Sequence, residues 1–166
     1  AENLEDDPAA TENRIIGFSP VTGPGSKLVV AASWESGYSD FITNVTYGSQ
    51  SFTEAVTRRP GRNSSIWYLD EPIQSSGDVV VRFNAGTGSR IGVLNLINAA
   101  AGGPDHTASV VSNATIALTT TVKNSMVVGV YTENEDGTLS SDFAGTLYSG
   151  SSHSSVGHAG FQVKAV

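Results

Sequence analysis

The chain has 166 residues, of which 39% are hydrophobic and 15% charged, with a formal net charge of −7 and no cysteine. That length suits one domain with its own core. The acidity argues against nucleic acid and anionic membranes as partners, because both need a basic footprint, and the missing cysteines exclude a disulfide framework, a CxxC redox site and a Cys-type zinc site.

Glu2, Glu5, Asp6, Asp7 and Glu12 supply five of the negative charges, so residues 13–166 carry only about two net negative charges. Residues 1–13 (AENLEDDPAATEN) have no period and few apolar side chains. They predict an acidic N-terminal arm that is ordered only by lying on its own body or on a neighbour. Ala1-Glu2 is what cleavage at a small-residue site leaves, so the chain is expected to be exported, extracellular or on a cell surface. Three N-x-[ST] sequons, at Asn44, Asn63 and Asn113, are compatible with export, although so much Asn, Ser and Thr produces sequons by chance.

Residues 14–166 predict a single all-β domain. RIIGF (14–18) is a short strand bounded by Pro20. After the PGS turn, KLVVAASW (27–34) is a near-continuous apolar run, the pattern of a central strand covered on both faces. FITNVTY (41–47) and SFTEAV (51–56) alternate and form a hairpin around Gly48-Ser49. TRRPGRN is a loop. SIWYL (65–69), DVVVRF (78–83) and RIGVLNLI (90–97) follow as strands, and Gly-Gly-Pro makes AAAGGPDH a loop. Residues 114–122, 125–133, 138–148 and 160–166 complete about ten strands. Turn signals every 8–12 residues predict an antiparallel β-sandwich, jelly-roll or Ig-like. A weak echo between GSKLVVAASWESG and NSMVVGVYTENEDG reflects either a duplicated half or two strands obeying the same physics.

The succession LVVAASWESG, ITNVTYGSQSFT, SIWYLDEP and VVVRFNAG resembles a module repeated in large secreted bacterial surface proteins, over about residues 25–135. The resemblance implies a jelly-roll sandwich and carries no catalytic residue set. Ser49 stands where a second glycine is usual, a small departure if Gly48 holds the positive φ of the turn.

No G-x-S-x-G elbow is present, and His106, His153 and His158 read as surface or satisfied loop histidines rather than general bases. A zinc site from His153, His158 and Asp142 has the wrong spacing for a helix or a strand face. No cofactor is expected. A structural calcium is the one alternative, with Glu133, Glu135, Asp136, Asp70, Glu71, Glu35 and Asp40 as oxygen donors, but no EF-hand loop holds them. Lys27, Lys123 and Lys164 are the lysines available for an isopeptide, and nothing beyond their presence suggests one.

Two surfaces stand out. Trp34 with Tyr38, and one of Trp67 or Tyr68, could stack a sugar; the competing expectation, aromatics filling a sandwich core, is stronger for Trp67. Trp67 and Tyr68 must face opposite sides of their sheet. The only basic cluster, Arg58, Arg59 and Arg62, is either a solvated loop or the complement of the acidic arm (Glu5, Asp6, Asp7) of another copy. Ile15, Ile16 and Phe18 of RIIGF would then add as an edge strand to a neighbouring sheet. The expected function is a non-catalytic extracellular structural subunit, of a filament, sheath or surface layer, whose partners are copies of itself. The alternative is a carbohydrate-binding module.

Overall fold

The computed structural model describes residues 1–5, 9–35, 40–59, 62–109, 119–120, 125–133, 146–149 and 158–165. They form twelve strands and no helix: β1 (Glu2–Glu5), β2 (Glu12–Phe18), β3 (Ser26–Glu35), β4 (Ile42–Tyr47), β5 (Gln50–Ser51), β6 (Thr53–Arg58), β7 (Arg62–Asp70), β8 (Gly77–Phe83), β9 (Ser89–Ile97), β10 (Met126–Glu133), β11 (Thr146–Ser149) and β12 (His158–Ala165). The absence of helix follows from composition, since β-branched residues alternate between Gly-, Asn- and Ser-rich turns and no long run of helix formers occurs.

β1-β9-β3-β7-β6 make a five-stranded sheet, β2-β8-β4-β5 a four-stranded one and β10-β12-β11 a third, and every pairing is antiparallel. The first two face each other as a β-sandwich. Leu28, Val30, Ala32 and Trp34 of β3, Trp67 and Leu69 of β7, and Ile91 and Val93 of β9 meet Ile15, Ile42, Val45, Tyr47, Val79, Val81 and Phe83 from the other sheet. These are alternate residues, as a period of two requires, except in β4, where a register shift between Ile42 and Asn44 puts Ile42 and Val45 on the same face.

β3 is buried on both sides. Val29, Ala31 and Ser33, on its other face, are as inaccessible as the core residues, and β10 of the third sheet lies against β3 and β7. The unbroken apolar run in KLVVAASW therefore has its expected cause. Among the described residues its echo, β10, is an edge strand of the third sheet, whereas β3 sits mid-sheet.

The hairpin at Gly48-Ser49 forms with the pairs Tyr47↔Gln50 and Thr46↔Ser51, and Gly48 has φ 55°. SFTEAV, expected as one strand, instead changes sheets. Gln50–Ser51 pairs with β4, Thr53–Arg58 pairs with β7, and Phe52 between them drops into the core while its N–H donates to the Val45 carbonyl at 2.9 Å. Burial of the Phe52 ring drives the crossing, since a chain passing between sheets loses ladder bonds that only a core side chain offsets. TRRPGRN, expected as a loop, is mostly strand: β6 reaches Arg58 and β7 begins at Arg62. Of the strand expected over 114–122 only 119–120 are described, and not as strand; most of that over 138–148 lies outside the described residues.

Candidate functional site

The N-terminal segment lies on its own body. β1 pairs with β9 from Glu2↔Gly92 to Glu5↔Ser89. Farther along, Phe83 N–H donates to Thr11 O at 2.9 Å and Thr87 N–H to Ala10 O at 3.0 Å. Asn13, fully buried, donates through Nδ2 to both Ser89 O and Ser89 Oγ at 3.0 Å and accepts from Asn3 Nδ2 at 2.8 Å. One amide thus ties β1 and β9 of one sheet to β2 of the other. A buried amide with its hydrogen bonds made is stabilising, and one stripped of them costs a desolvation penalty.

RIIGF is an edge strand of its own sheet, paired to β8 on one side. Ile15 is in the core and Phe18 packs edge-on against the Tyr47 ring at 6.5 Å, so neither is available to a neighbour. Ile16, at 80% exposure, is. The reason is the alternation within β2, which sends Ile15 inward and Ile16 outward, and a bulge at Gly17 (φ 64°) that re-aims the strand before Phe18.

Charge on the outer face of the four-stranded sheet is organised around Arg14. Its guanidinium bonds Glu12 and, at 2.8 Å, Asp78, while Arg82 Nε reaches Glu12 at 3.1 Å. The Gly17 N–H and then Arg14 hold the Asp78 carboxyl below its ordinary pKa; hydrogen bonding to Glu12 and Asp78 raises that of Arg14. These groups are substantially solvated, so the network orders the strand edge more than it stabilises the fold.

The aromatic platform is largely dismantled by burial. Trp34 is 1% exposed, tilted against the Phe83 ring at 5.8 Å, with Nε1 donating to Asp40 O at 3.4 Å. Sequence position at the end of a strand suggested a rim residue; the sheet opposite covers it. Trp67 is also in the core and bonds Ser65 Oγ through Nε1 at 2.8 Å. Tyr68 points the other way, as the strand period requires, and is half-buried beneath the Lys27 ammonium at 5.2 Å. Tyr38 lies outside the described residues.

Lys27 also pairs with Asp70 at 3.1 Å and donates to Gly102 O, while Gly102 N–H donates to Asp70 at 2.8 Å. This cluster fastens the 98–103 loop to the five-stranded sheet, and it occupies the Asp70 oxygens proposed for calcium. Glu35 offers only its place at the end of β3, Glu71 is exposed, and Glu135 and Asp136 lie outside the described residues. Among the described residues no three His, Asp or Glu side chains are close enough to hold a metal ion. His106 is in an exposed loop; His153 and Asp142 are outside the described residues. Of the sequons, Asn63 is 1% exposed in β7 and closed to modification in the folded chain, Asn44 is half-buried, and Asn113 is outside the described residues.

Arg58 ends β6 and Arg59 follows it, with the Arg59 guanidinium 5.3 Å from the Phe41 ring centre; Arg62 begins β7. Glu5 ends β1, and Asp6 and Asp7 lie outside the described residues. β1 and β6 are the two edges of the five-stranded sheet. Glu5 and Arg58 therefore belong to opposite edges, four strand spacings or about 19 Å apart, too far to neutralise each other within one copy, while Arg62 belongs to the strand next to the β6 edge. No helix among the described residues is long and apolar enough to cross a membrane.

No protein-family model, curated protein or solved structure matches the chain.

Proposed function

We propose that the chain is a non-catalytic, extracellular structural module that associates with copies of itself through the edges of its five-stranded sheet. The carrying observation is that, among the described residues, β1 and β6 each have a strand partner on one side only, with Glu2 and Glu5 in β1 and Arg58 at the end of β6, followed by Arg59. Unpaired strand edges are templates for further strands, and their charges choose which edges meet. The N-terminal connector is thus β1 as an edge of its own sheet rather than a free arm reaching for another. Burial of Trp34 and Trp67 weighs against the carbohydrate-binding alternative, which retains Tyr38 and Tyr68.

For the fold we infer a jelly-roll rather than an Ig-like winding. The pairs β1/β9, β2/β8, β3/β7 and β4/β5 nest inside one another, like a long hairpin whose legs wind into two sheets. β6 is an added strand on the β7 edge. Such a winding hosts many functions, so it supports the architecture and not the activity.

Sedimentation velocity over a range of micromolar concentrations, beside negative-stain electron microscopy, tests self-association. Concentration-dependent high-mass species with regular fibres or layers are the expected result. A chain that stays monomeric throughout overturns the proposal.

A further inference from the structure

The sheet register carries the self-assembly reading, on which this inference rests, one step further. Pairings can be followed row by row across the five-stranded sheet. Glu2 lies in the row Gly92, Ala31, Ile66, Val56; Asn3 in the row of Ile91, Ala32, Ser65, Thr57; and Leu4 in the row of Arg90, Ser33, Ser64, Arg58. The row of Glu5 runs through Ser89, Trp34 and Asn63 and leaves the sheet one residue beyond Arg58, at Arg59. Alternation of direction across four antiparallel pairings makes β1 and β6 run the same way.

The geometry points to a head-to-tail contact in which β1 of one copy adds in parallel to β6 of the next, with Glu2–Glu5 alongside Val56–Arg59. Three observations converge on it. β6 has its irregularity between Glu54 and Val56, so its regular part begins at Val56, where the four residues of β1 would begin. The acidic end of β1 and the arginine end of β6 are at the same end of the sheet, so lateral addition brings Glu5 to Arg59 in register. The symmetric pairing of β1 on β1 is disfavoured, because its antiparallel order sets Glu2 against Glu5; repulsion in the wrong pairing is what gives such an edge its specificity.

A contact between unlike edges is heterologous and propagates. Each added copy advances five strand spacings, about 24 Å along the stacking direction. Sheet twist rotates it by roughly 100–125° relative to its neighbour, giving a helical filament of about three copies per turn.

Two charge-reversed variants test the contact, Glu2→Lys with Glu5→Lys and Arg58→Glu with Arg59→Glu. Each alone has edges of one sign and should lose high-mass species in sedimentation by at least tenfold. An equimolar mixture restores opposite edges and should recover them, which two merely misfolded variants would not do. A separate variant, Leu4→Cys with Arg58→Cys, supplies the only two thiols in the chain, about 19 Å apart within a copy and adjacent across the contact. Mild oxidation should yield a ladder of disulfide-linked multimers. Assembly that ignores both reversals and gives no ladder overturns this register while leaving self-association standing. A native chain that never assembles overturns both.

Discussion

Asn3 and Asn13 are ten residues apart in the chain and 2.8 Å apart across the sandwich, with Asn3 Nδ2 donating to Asn13 Oδ1. Asn13 passes the connection on to Ser89, so the first strand of one sheet is held by a buried side chain of the other. This is what converts an acidic, aperiodic N-terminus into a sheet edge. Four residues on an edge have little ladder energy of their own, and a satisfied buried amide adds the specificity that the ladder lacks.

Replacing Asn13 by Ala should therefore loosen β1 before it unfolds the body. The expected loss is about 1–3 kcal/mol of unfolding free energy, from the orphaned Ser89 partners and the released Asn3 amide. Urea unfolding gives the total, and hydrogen exchange should show β1 amides losing protection while those of β3 keep theirs.

Trp34→Ala should cost about 3–5 kcal/mol, because it empties one of the largest fully buried sites in the core. Trp34 fluorescence in the native chain, with Trp67→Phe as background, should resist acrylamide quenching. Efficient quenching would place the ring on the surface and revive the sugar-stacking role.

Gly48→Ala combines a left-handed backbone with a Cβ that would collide with the Gln74 side-chain amide. The backbone alone should cost about 1–2 kcal/mol. A Gln74→Ala background removes the collision, so the same substitution there should cost less. Equal costs in both backgrounds would assign the whole effect to φ.

Asp78 has its pKa depressed by the Gly17 N–H and Arg14. A depressed carboxylate stabilises the fold fully above its unfolded pKa of about 4, and that contribution is lost as pH falls from there through the folded value. Thermal melts between pH 6 and pH 2 should show Asp78→Asn less acid-sensitive than the native chain over that lower window. Parallel curves would mean that the contact contributes nothing measurable, as exposed ion pairs often do.

Strand positions were legible in most places where period-two alternation met a turn signal. RIIGF, FITNVTY, DVVVRF and RIGVLNLI all appear as strands within two residues of their expected limits, and the doubly buried run in β3 announced its central place. Phe52 was not legible as a crossing point. Nothing local distinguishes an alternating residue that stays in one sheet from one that leaves it, because the difference lies in which strand waits on the other side. Arg58, Arg59 and the acidic segment were recognisable as complementary charges, yet the assignment of Glu5 and Arg58 to opposite edges depended on pairings between residues as far apart as Glu2 and Gly92.

Sequence by itself determined the all-β class, most of the strands, the positive φ at Gly48 and the opposite facing of Trp67 and Tyr68, since each follows from steric preferences and periodicity within a few residues. Tertiary structure alone decided that Trp34 is core, that Asn63 is closed to modification, that Asn13 pins β1, and that acid and arginine occupy separate edges. Those outcomes turn on the order of strands in a sheet and on what covers each face. Both are set by the summed burial of residues distant in the chain, which no local pattern encodes.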